Sequence, residues 1–273
     1  MYPKLLSLFG GKVTIYTYSV CIAVGLIIGA VIFRLLSKRL KMSDKAYDFY
    51  SFLSILTVVV GFISAYVFQD LYNVMAGKGS NIVNDTKNLF AGKGFKMSGG
   101  ITFMGGLIGG VGFFILVTFL YTIPRKNRSV RDEFPLMADI ASAVILVAHG
   151  FGRIGCFFGG CCYGKVTDSP FGINYPVDGV WQVRYPTQLF EALFCFIAFA
   201  VFMLLILKTE KRGYMIALYA AVYSVFRFFI EFLRDDYRGG ANIGISAYIL
   251  VKMLWWDQRK NLPAGQSDKT EKK

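Results

Sequence analysis

Several long apolar runs dominate this chain, and they constrain its fold more than any other feature. They lie near residues 14–36, 50–74, 101–123, 135–157, 187–207, 214–234 and 242–256. About 20 apolar residues cross the hydrocarbon layer of a bilayer as one helix, whose backbone groups all bond within the helix. The runs therefore predict an all-α membrane protein, a polytopic bundle of about seven transmembrane helices.

The stretches between the runs are too short to build a second folded core. We therefore expect one transmembrane helical domain over residues 1–257, followed by a basic, disordered cytoplasmic tail over residues 258–273. The two longest connections, residues 75–100 and 158–186, are rich in Gly, Asn or Pro. Such segments need water or a polar cleft for their backbone groups, so they predict two larger extracytoplasmic loop regions.

The distribution of positive charge predicts the orientation of the bundle. The chain carries a net charge of +13, and its densest cationic segments (34–45, 124–134, 208–213 and the tail) lie directly beyond apolar runs. Cytoplasmic loops of membrane proteins carry such an excess of Lys and Arg. The pattern places the N-terminus outside and the C-terminus in the cytoplasm, and it argues against nucleic acid as a partner.

Ionisable side chains inside an apolar run are costly, so each predicts a partner or a function. In "YSVFRFFIEFLR" (223–234), Tyr223, Arg227, Glu231 and Arg234 recur at helical spacing and share one face. One explanation is a structural Arg227–Glu231 ion pair that holds helices together. The other is a polar face that serves a function.

Arg153 lies in the glycine-dense segment "GRIGCFFGGCCYG" (152–164), at the end of the fourth run. A guanidinium binds phosphate through two hydrogen bonds, and glycines let backbone N–H groups approach a headgroup closely. With Arg153 and Arg227 both near the outer side, we expect an anionic lipid headgroup between them. The alternative for Arg153 is that it extends to the membrane interface without a ligand.

The cysteines and the single histidine raise the question of a metal site. The residues concerned are Cys21, Cys156, Cys161, Cys162, Cys195 and His149. Cys21 and Cys195 lie inside apolar runs and are expected to be small core residues. Adjacent cysteines do not easily share a tetrahedral site, and the chain has no C-x-x-C pair, so we predict no metal site and favour a disulfide or simple packing. For His149 a hydrogen-bonded core role is favoured over that of a base.

Small residues at helical spacing in "MGGLIGGVG" (104–112) place Gly105, Gly109 and Gly112 on one helix face. They indicate close helix packing, or a backbone that approaches a bulky ligand. An anionic-solute transporter is an alternative function for the chain, but it should show broken helices and paired repeats, and the sequence has neither. A membrane scaffold without catalytic activity is a further alternative.

Taken together, five segments resemble one known family, the prolipoprotein diacylglyceryl transferases. They are "TYSVCIAVGLIIGA" (17–30), "MGGLIGG" (104–110), "HGFGRIGCFFGGCCYG" (149–164), "YPTQLFEAL" (185–193) and "YSVFRFFIEFLRDD" (223–236). The likeness covers roughly residues 14–240. It implies a seven-span enzyme of the bacterial cytoplasmic (inner) membrane, with phosphatidylglycerol, other membrane lipids and the lipobox cysteine of a prolipoprotein signal peptide as partners. Such an enzyme transfers diacylglycerol to the cysteine thiol, forms a thioether and releases glycerol phosphate, without metal or cofactor.

The resemblance also implies roles for individual residues. Arg153 and Arg227 hold or stabilise the phosphate, Glu231 orients or neutralises charge on the same helix as Arg227, and Tyr18 and Tyr223 line the site. The further candidates for lipid contact are Arg234, Gly105, Gly106, Gln188 and Glu191.

The sequence departs from the family pattern at three of the matching positions. Met104 stands where the family carries a histidine, and Cys156 and Cys161 stand where it carries asparagine and glutamate. Methionine cannot take a proton. Either another group is the base, with His149 first and Glu231 second, or the reaction needs no strong base, or the chain is a divergent paralogue that binds anionic phospholipid with another acceptor or without activity.

Overall fold

A computed structural model describes residues 4–8, 13–90, 102–177 and 179–235. Most of this part is helical. The elements in chain order are the strands β1 (Lys4–Leu8) and β2 (Val13–Tyr16), the helices α1 (Thr17–Arg39), α2 (Asp44–Met75), α3 (Asn81–Phe90), α4 (Phe103–Thr122), a 3-10 turn (Arg125–Asn127), α5 (Arg128–Asp132) and α6 (Phe134–Gly159), the strands β3 (Ile173–Val177) and β4 (Val180–Arg184), and the helices α7 (Thr187–Lys208) and α8 (Met215–Glu231).

Among the described residues, five helices are long and apolar enough to cross a membrane: α1, α2, α4, α6 and α7. They coincide with the first five predicted runs, and the expectation of a multi-pass helical membrane protein is confirmed. The sixth run forms α8, which has 17 residues and is shorter than the predicted 214–234. The seventh run and the tail lie outside the described residues, so the number seven stays a prediction.

The first helix starts later than the apolar run predicts. Residues 14–16 belong to β2, which pairs antiparallel with β1, and α1 begins only at Thr17. The three residues Val13, Thr14 and Ile15 are β-branched, and such residues favour strands over helices. The prediction of a helix from residue 14 is therefore wrong by about one turn.

The chain divides into two compact units. One comprises Lys41–Phe134, and the other combines Met1–Leu40 with Pro135–Lys273. Compact units also occur within a single helical bundle, so the predicted single domain over 1–257 stays a prediction.

In the Lys41–Phe134 unit, α2 and α4 pack through glycine. A side chain at Gly105 would collide with Phe68, and one at Gly106 would lie 3.1 Å from the carbonyl oxygen of Gly61. The Ser64 hydroxyl donates a 2.8 Å hydrogen bond to the carbonyl of Gly105. Close helix packing is therefore confirmed for this segment, whereas lipid contact by Gly105 and Gly106 stays a prediction.

The packed face of α4 differs from the predicted one at one position. Among the residues that the structure describes, no atom lies within 4 Å of where a Cβ of Gly112 would stand, so Gly112 does not share the contact with α2 made by Gly105 and Gly109.

The predicted outer loop 75–100 contains the short helix α3. Asp70 of α2 accepts hydrogen bonds from the backbone N–H groups of Asn81 (2.6 Å) and Ile82 (3.1 Å) and from the Ser80 hydroxyl (2.9 Å). A carboxylate at these free N–H groups stabilises the start of a helix. The interpretation of this segment as loop throughout is therefore wrong.

The second unit holds α1, α6, α7 and α8 together through small residues and one buried carboxylate. Gly25 and Gly29 of α1 leave room for α6, and Gly150 of α6 leaves room for the Phe196 ring of α7. Asp139 of α6 is fully buried and accepts the backbone N–H groups of Gly213 (2.8 Å) and Met215 (2.9 Å). α6 therefore fixes where α8 begins.

The predicted loop 158–186 contains the β3–β4 hairpin and is tied to the end of α8. The N–H of Gly164 donates to the carbonyl of Tyr185, and the N–H of Lys165 donates to that of Leu233, each at 2.8 Å. Arg184 adds an ion pair with Asp235. These bonds bring the glycine-rich segment, the hairpin and α8 together at one end of the unit.

Candidate functional site

A fully buried carboxylate, Glu191, is the centre of a polar cluster between three helices. Its Oε1 lies 2.9 Å from Nη2 of Arg153 and accepts a 2.8 Å hydrogen bond from the Tyr223 hydroxyl. The same oxygen lies 3.3 Å from Nε2 of His149, and its partner Oε2 lies 3.7 Å from Nη1 of Arg227. One carboxylate thus faces two guanidinium groups, a phenol and an imidazole.

Helical spacing explains how these side chains meet. His149 and Arg153 are four residues apart on α6, while Tyr223, Arg227 and Glu231 follow at intervals of four on α8. Residues four apart lie on one face of a helix. Glu191, on the second turn of α7, lies between these two faces.

The ion pair predicted within α8 is present. Nη2 of Arg227 lies 2.6 Å from Oε2 of Glu231, and both side chains are 12% exposed. It is one part of the cluster, which also contains Arg153 and Glu191. Among the described residues, Nη1 of Arg227 and Oε2 of Glu191 are buried atoms with no hydrogen-bond partner. A buried donor without a hydrogen-bond partner is costly. An anionic ligand would supply the missing acceptor, so Nη1 of Arg227 is suited to bind one.

His149 lies between its neighbour Arg153 on α6 and Glu191 of α7. Nε of Arg153 donates to Nε2 of His149 at 3.2 Å, since a guanidinium nitrogen only donates. The same Nε2 lies 3.3 Å from Oε1 of Glu191. The imidazole therefore contacts both members of the Arg153–Glu191 pair.

Aromatic rings surround the cluster. The Tyr223 ring lies 5.2 Å from His149 and 5.9 Å from Tyr219, and Phe194 of α7 stacks on Phe226 of α8 at 3.9 Å. These rings give the cluster a largely apolar surrounding, in which charge interactions are stronger than in water.

Two other predicted residues, Tyr18 and Arg234, have different surroundings. The Tyr18 ring of α1 lies against Gly155, two residues beyond Arg153, and is 40% exposed. Arg234 is almost fully buried and forms a strand-like bridge with Gly164.

Gln188 lies one turn before Glu191 and holds the glycine-rich loop. Its Nε2 donates to the carbonyl of Cys161 at 2.5 Å, and its Oε1 accepts from the Tyr175 hydroxyl at 3.2 Å. Burial raises the pKa of Tyr175 to about 12, so this phenol remains a donor. With both ends of its amide engaged, Gln188 positions the loop, and its predicted lipid contact stays a prediction.

Three cysteines, one at the end of α6 and two in the loop that follows it, converge. The sulfur atoms of Cys156, Cys161 and Cys162 all lie within 4.8 Å of one another. The adjacent Cys161 and Cys162 thus bring their sulfurs close together, and the prediction of no metal site stays a prediction. All five cysteines are free thiols in this structure.

Comparison with known proteins decides the family. The sequence pattern of prolipoprotein diacylglyceryl transferases matches residues 3–256. The chain belongs to this family. It is 34% identical over 249 residues to the phosphatidylglycerol–prolipoprotein diacylglyceryl transferase of Clostridium tetani, covering 89% of each chain.

Two further relatives bear the same enzyme name. A Clostridium perfringens protein, numbered 2 under that name, is 33% identical over 89% of this chain and 90% of its own. A Clostridioides difficile protein is 33% identical over 84% of this chain and 82% of its own. The resemblance inferred from the motifs is therefore confirmed.

The sequence did not predict the central position of Glu191. It predicted a lipid contact for this residue, whereas in the structure Glu191 is the common partner of Arg153, Arg227 and Tyr223. A signal was present, because Glu191 is the single charged residue in the run 187–207. A lone carboxylate in a membrane segment predicts a cationic partner.

Proposed function

We propose that this protein transfers the diacylglycerol group of phosphatidylglycerol to the lipobox cysteine thiol of a prolipoprotein, forming a thioether. The proposal depends mainly on one observation: Arg153 and Arg227 both contact the buried carboxylate of Glu191. Two guanidinium groups in an apolar helical site suit a lipid whose headgroup is a phosphate diester. The names of the relatives supply the two substrates, phosphatidylglycerol and a prolipoprotein.

The role of the arginines follows from where charge develops. The sulfur of the acceptor attacks the glycerol carbon of the diacylglycerol group, the bond from that carbon to the phosphate oxygen breaks, and glycerol phosphate leaves. Negative charge on the leaving phosphate grows in the transition state, and fixed cations nearby stabilise it. Arg227 has the donor for this, since its buried Nη1 lacks a hydrogen-bond partner among the described residues.

Glu191 and Glu231 keep the two cations in place before the lipid arrives. Each guanidinium has one close carboxylate, at 2.9 Å for Arg153 and 2.6 Å for Arg227. An arginine has five N–H donors, so the remaining ones are available to a phosphate. Tyr223 fixes the orientation of Glu191 through its hydroxyl.

The proton of the acceptor thiol needs a destination. His149 is the first candidate for the base and Glu231 the second. In the structure Nε2 of His149 also accepts a hydrogen bond from Nε of Arg153, so the imidazole can position that arginine as well.

The proposal includes a location and an orientation. We place the protein in the bacterial cytoplasmic membrane, with the loops 75–100 and 158–186 on the outer side, where exported prolipoproteins arrive. The positive-inside pattern of the sequence supports this orientation.

A direct assay tests the function. Purified protein in detergent is incubated with phosphatidylglycerol and a synthetic lipobox peptide, and the product is analysed by mass spectrometry. We expect a peptide that has gained one diacylglyceryl group on sulfur, and none with a peptide that carries serine instead of cysteine. Lipid binding without any thioether would indicate a paralogue that lacks this chemistry.

A further inference from the structure

The turn after α6 folds the chain back on itself and brings Cys161 back to Cys156 on the last turn of α6. The N–H of Gly160 donates to the carbonyl of Phe157 (3.1 Å), and that of Cys161 donates to the carbonyl of Cys156 (3.2 Å). Gly160 has φ +69°, a conformation that glycine adopts readily. This is the Schellman pattern of helix ends, and it places the residue after the glycine over the last turn of the helix.

The third cysteine is fixed by α7. Cys162 has φ +64°, which is uncommon for a residue with a side chain. The Thr187 hydroxyl donates to the carbonyl of Cys162 (2.9 Å), and the amide of Gln188 holds the carbonyl of Cys161. Thr187 and Gln188 are fully buried, so the backbone of both cysteines is set by rigid partners. Strained residues that their surroundings hold in this way are frequent at functional sites.

Two cationic residues lie close to the three cysteines. Arg153 is three residues before Cys156 on α6, and Arg234 forms a bridge with Gly164, two residues beyond Cys162. Metal ions bind the thiolate form of cysteine. Two neighbouring cations also offset part of the negative charge of a cluster of three thiolates.

We propose that Cys156, Cys161 and Cys162 bind one Zn²⁺ ion through their three sulfur atoms. A tetrahedral zinc site with Zn–S bonds of about 2.3 Å has sulfurs about 3.8 Å apart. The three sulfurs here lie within 4.8 Å of one another, so small side-chain rotations complete the site. Soft thiolate ligands select zinc over calcium or magnesium. Cys161 is exposed, which gives the ion a path to the sulfurs.

Three protein ligands leave the fourth position of the ion open, and its location suggests a role that rests on the proposed function. Cys156 lies three residues beyond Arg153 on α6, about 5 Å along the helix axis. An acceptor thiol that replaces a water molecule on the ion releases its proton to solvent and remains as a bound thiolate. The metal site would then promote deprotonation of the acceptor thiol, which Met104 cannot do because methionine takes no proton.

Metal analysis of the whole purified protein tests the site, independently of any activity. We expect about one zinc per chain by elemental mass spectrometry. The triple change of Cys156, Cys161 and Cys162 to serine should lose it, and so should Cys161→Ser alone, whose exposed position makes misfolding a poor explanation. A double variant, Cys21→Ser with Cys195→Ser, should keep it. Three outcomes would overturn the proposal. The parent protein could remain free of zinc after incubation with zinc, the triple variant could retain zinc, or two of the three cysteines could be found in a disulfide.

Cobalt substitution tests the role of the open position. Co²⁺ bound by three thiolates absorbs in the near ultraviolet, and a fourth thiolate increases that absorption. We expect the lipobox peptide to increase it and the serine peptide to leave it unchanged. An identical spectrum with both peptides would overturn the role in thiol activation. If zinc is bound but no thioether forms in the transfer assay, the proposed function fails and the metal site stands.

Discussion

Nη2 of Arg153 lies 2.9 Å from Oε1 of Glu191, a carboxylate with no exposed surface. The two side chains come from different helices, α6 and α7, and Arg227 of α8 approaches the second oxygen of the same carboxylate. A buried carboxylate with two cationic neighbours is favourable only while those neighbours remain. The relationship therefore links the stability of the helix bundle to the charges that we propose for catalysis.

Replacing Glu191 by glutamine should destabilise the protein and abolish turnover. The amide removes the negative charge and leaves Arg153 buried without its carboxylate, a change that costs about 3–5 kcal/mol. Thermal unfolding in detergent measures the first effect and the transfer assay the second. Glu210→Gln, at an exposed position, is the matched control and should behave like the parent protein. Equal stability of the two variants would show that Glu191 does not hold the cluster.

Replacing Arg153 or Arg227 by lysine should not be a conservative change. Lysine keeps the charge but loses the planar fork that binds phosphate through two hydrogen bonds. We expect turnover or phosphatidylglycerol affinity to fall by about tenfold or more, equivalent to about 1.4 kcal/mol. Arg39→Lys, on the exposed last turn of α1, controls for the substitution itself. Unchanged lipid affinity in both variants would make the two arginines purely structural.

The apolar runs were sufficient to place the helices that surround the site. The predicted 135–157 and 187–207 became α6 and α7 within two residues at either end. Burial in lipid requires such runs, so the pattern is strong. The β1–β2 pair and α3 were not predicted. Their formation depends on strand pairing and on Asp70 of another helix, neither of which leaves a pattern in the local sequence.

The site was predictable in its residues but not in its connections. Helical spacing showed that Tyr223, Arg227 and Glu231 share a face, because all three lie on one helix. It could not show that Glu191 joins that face to Arg153, since this contact depends on how α6, α7 and α8 pack. The convergence of the loop cysteines depends in the same way on the turn at Gly160 and on contacts with α7.

The start of α8 should depend on Asp139. Its two carboxylate oxygens accept the backbone N–H groups of Gly213 and Met215 in a buried position. Asparagine retains only one acceptor oxygen, so Asp139→Asn leaves one N–H unsatisfied at a cost of about 1–3 kcal/mol. We expect a lower midpoint of thermal unfolding, compared with no change for the exposed Asp132→Asn. A midpoint equal to that of the control would exclude this role.

The orientation in the membrane can be tested at the tail. A cysteine placed at Lys272 should react with a membrane-impermeant thiol reagent only after the cells are permeabilised, because the basic segments predict a cytoplasmic C-terminus. A cysteine at Val180, on the hairpin of the loop 158–186, should react in intact cells. Mass mapping of the labelled peptides separates these sites from the native cysteines. Labelling of position 272 in intact cells would show the opposite orientation. The site would then face away from the side on which exported substrates arrive.

The last prediction concerns the imidazole of His149. Its Nε2 accepts the bond from Nε of Arg153, and the side-chain oxygen of glutamine offers an acceptor in place of that nitrogen. If His149 positions Arg153, His149→Gln should keep most of the turnover, whereas His149→Leu should lose it because the arginine then lacks its acceptor.

A base would give a different result, since glutamine cannot take a proton. In that case both variants should be equally inactive, and the acidic limb of the pH–rate profile of the parent protein should report the imidazole. Met104→His completes the comparison by restoring the histidine of the family pattern. Activity that appears only in this variant would show that the natural protein binds the lipid but has lost the transfer chemistry.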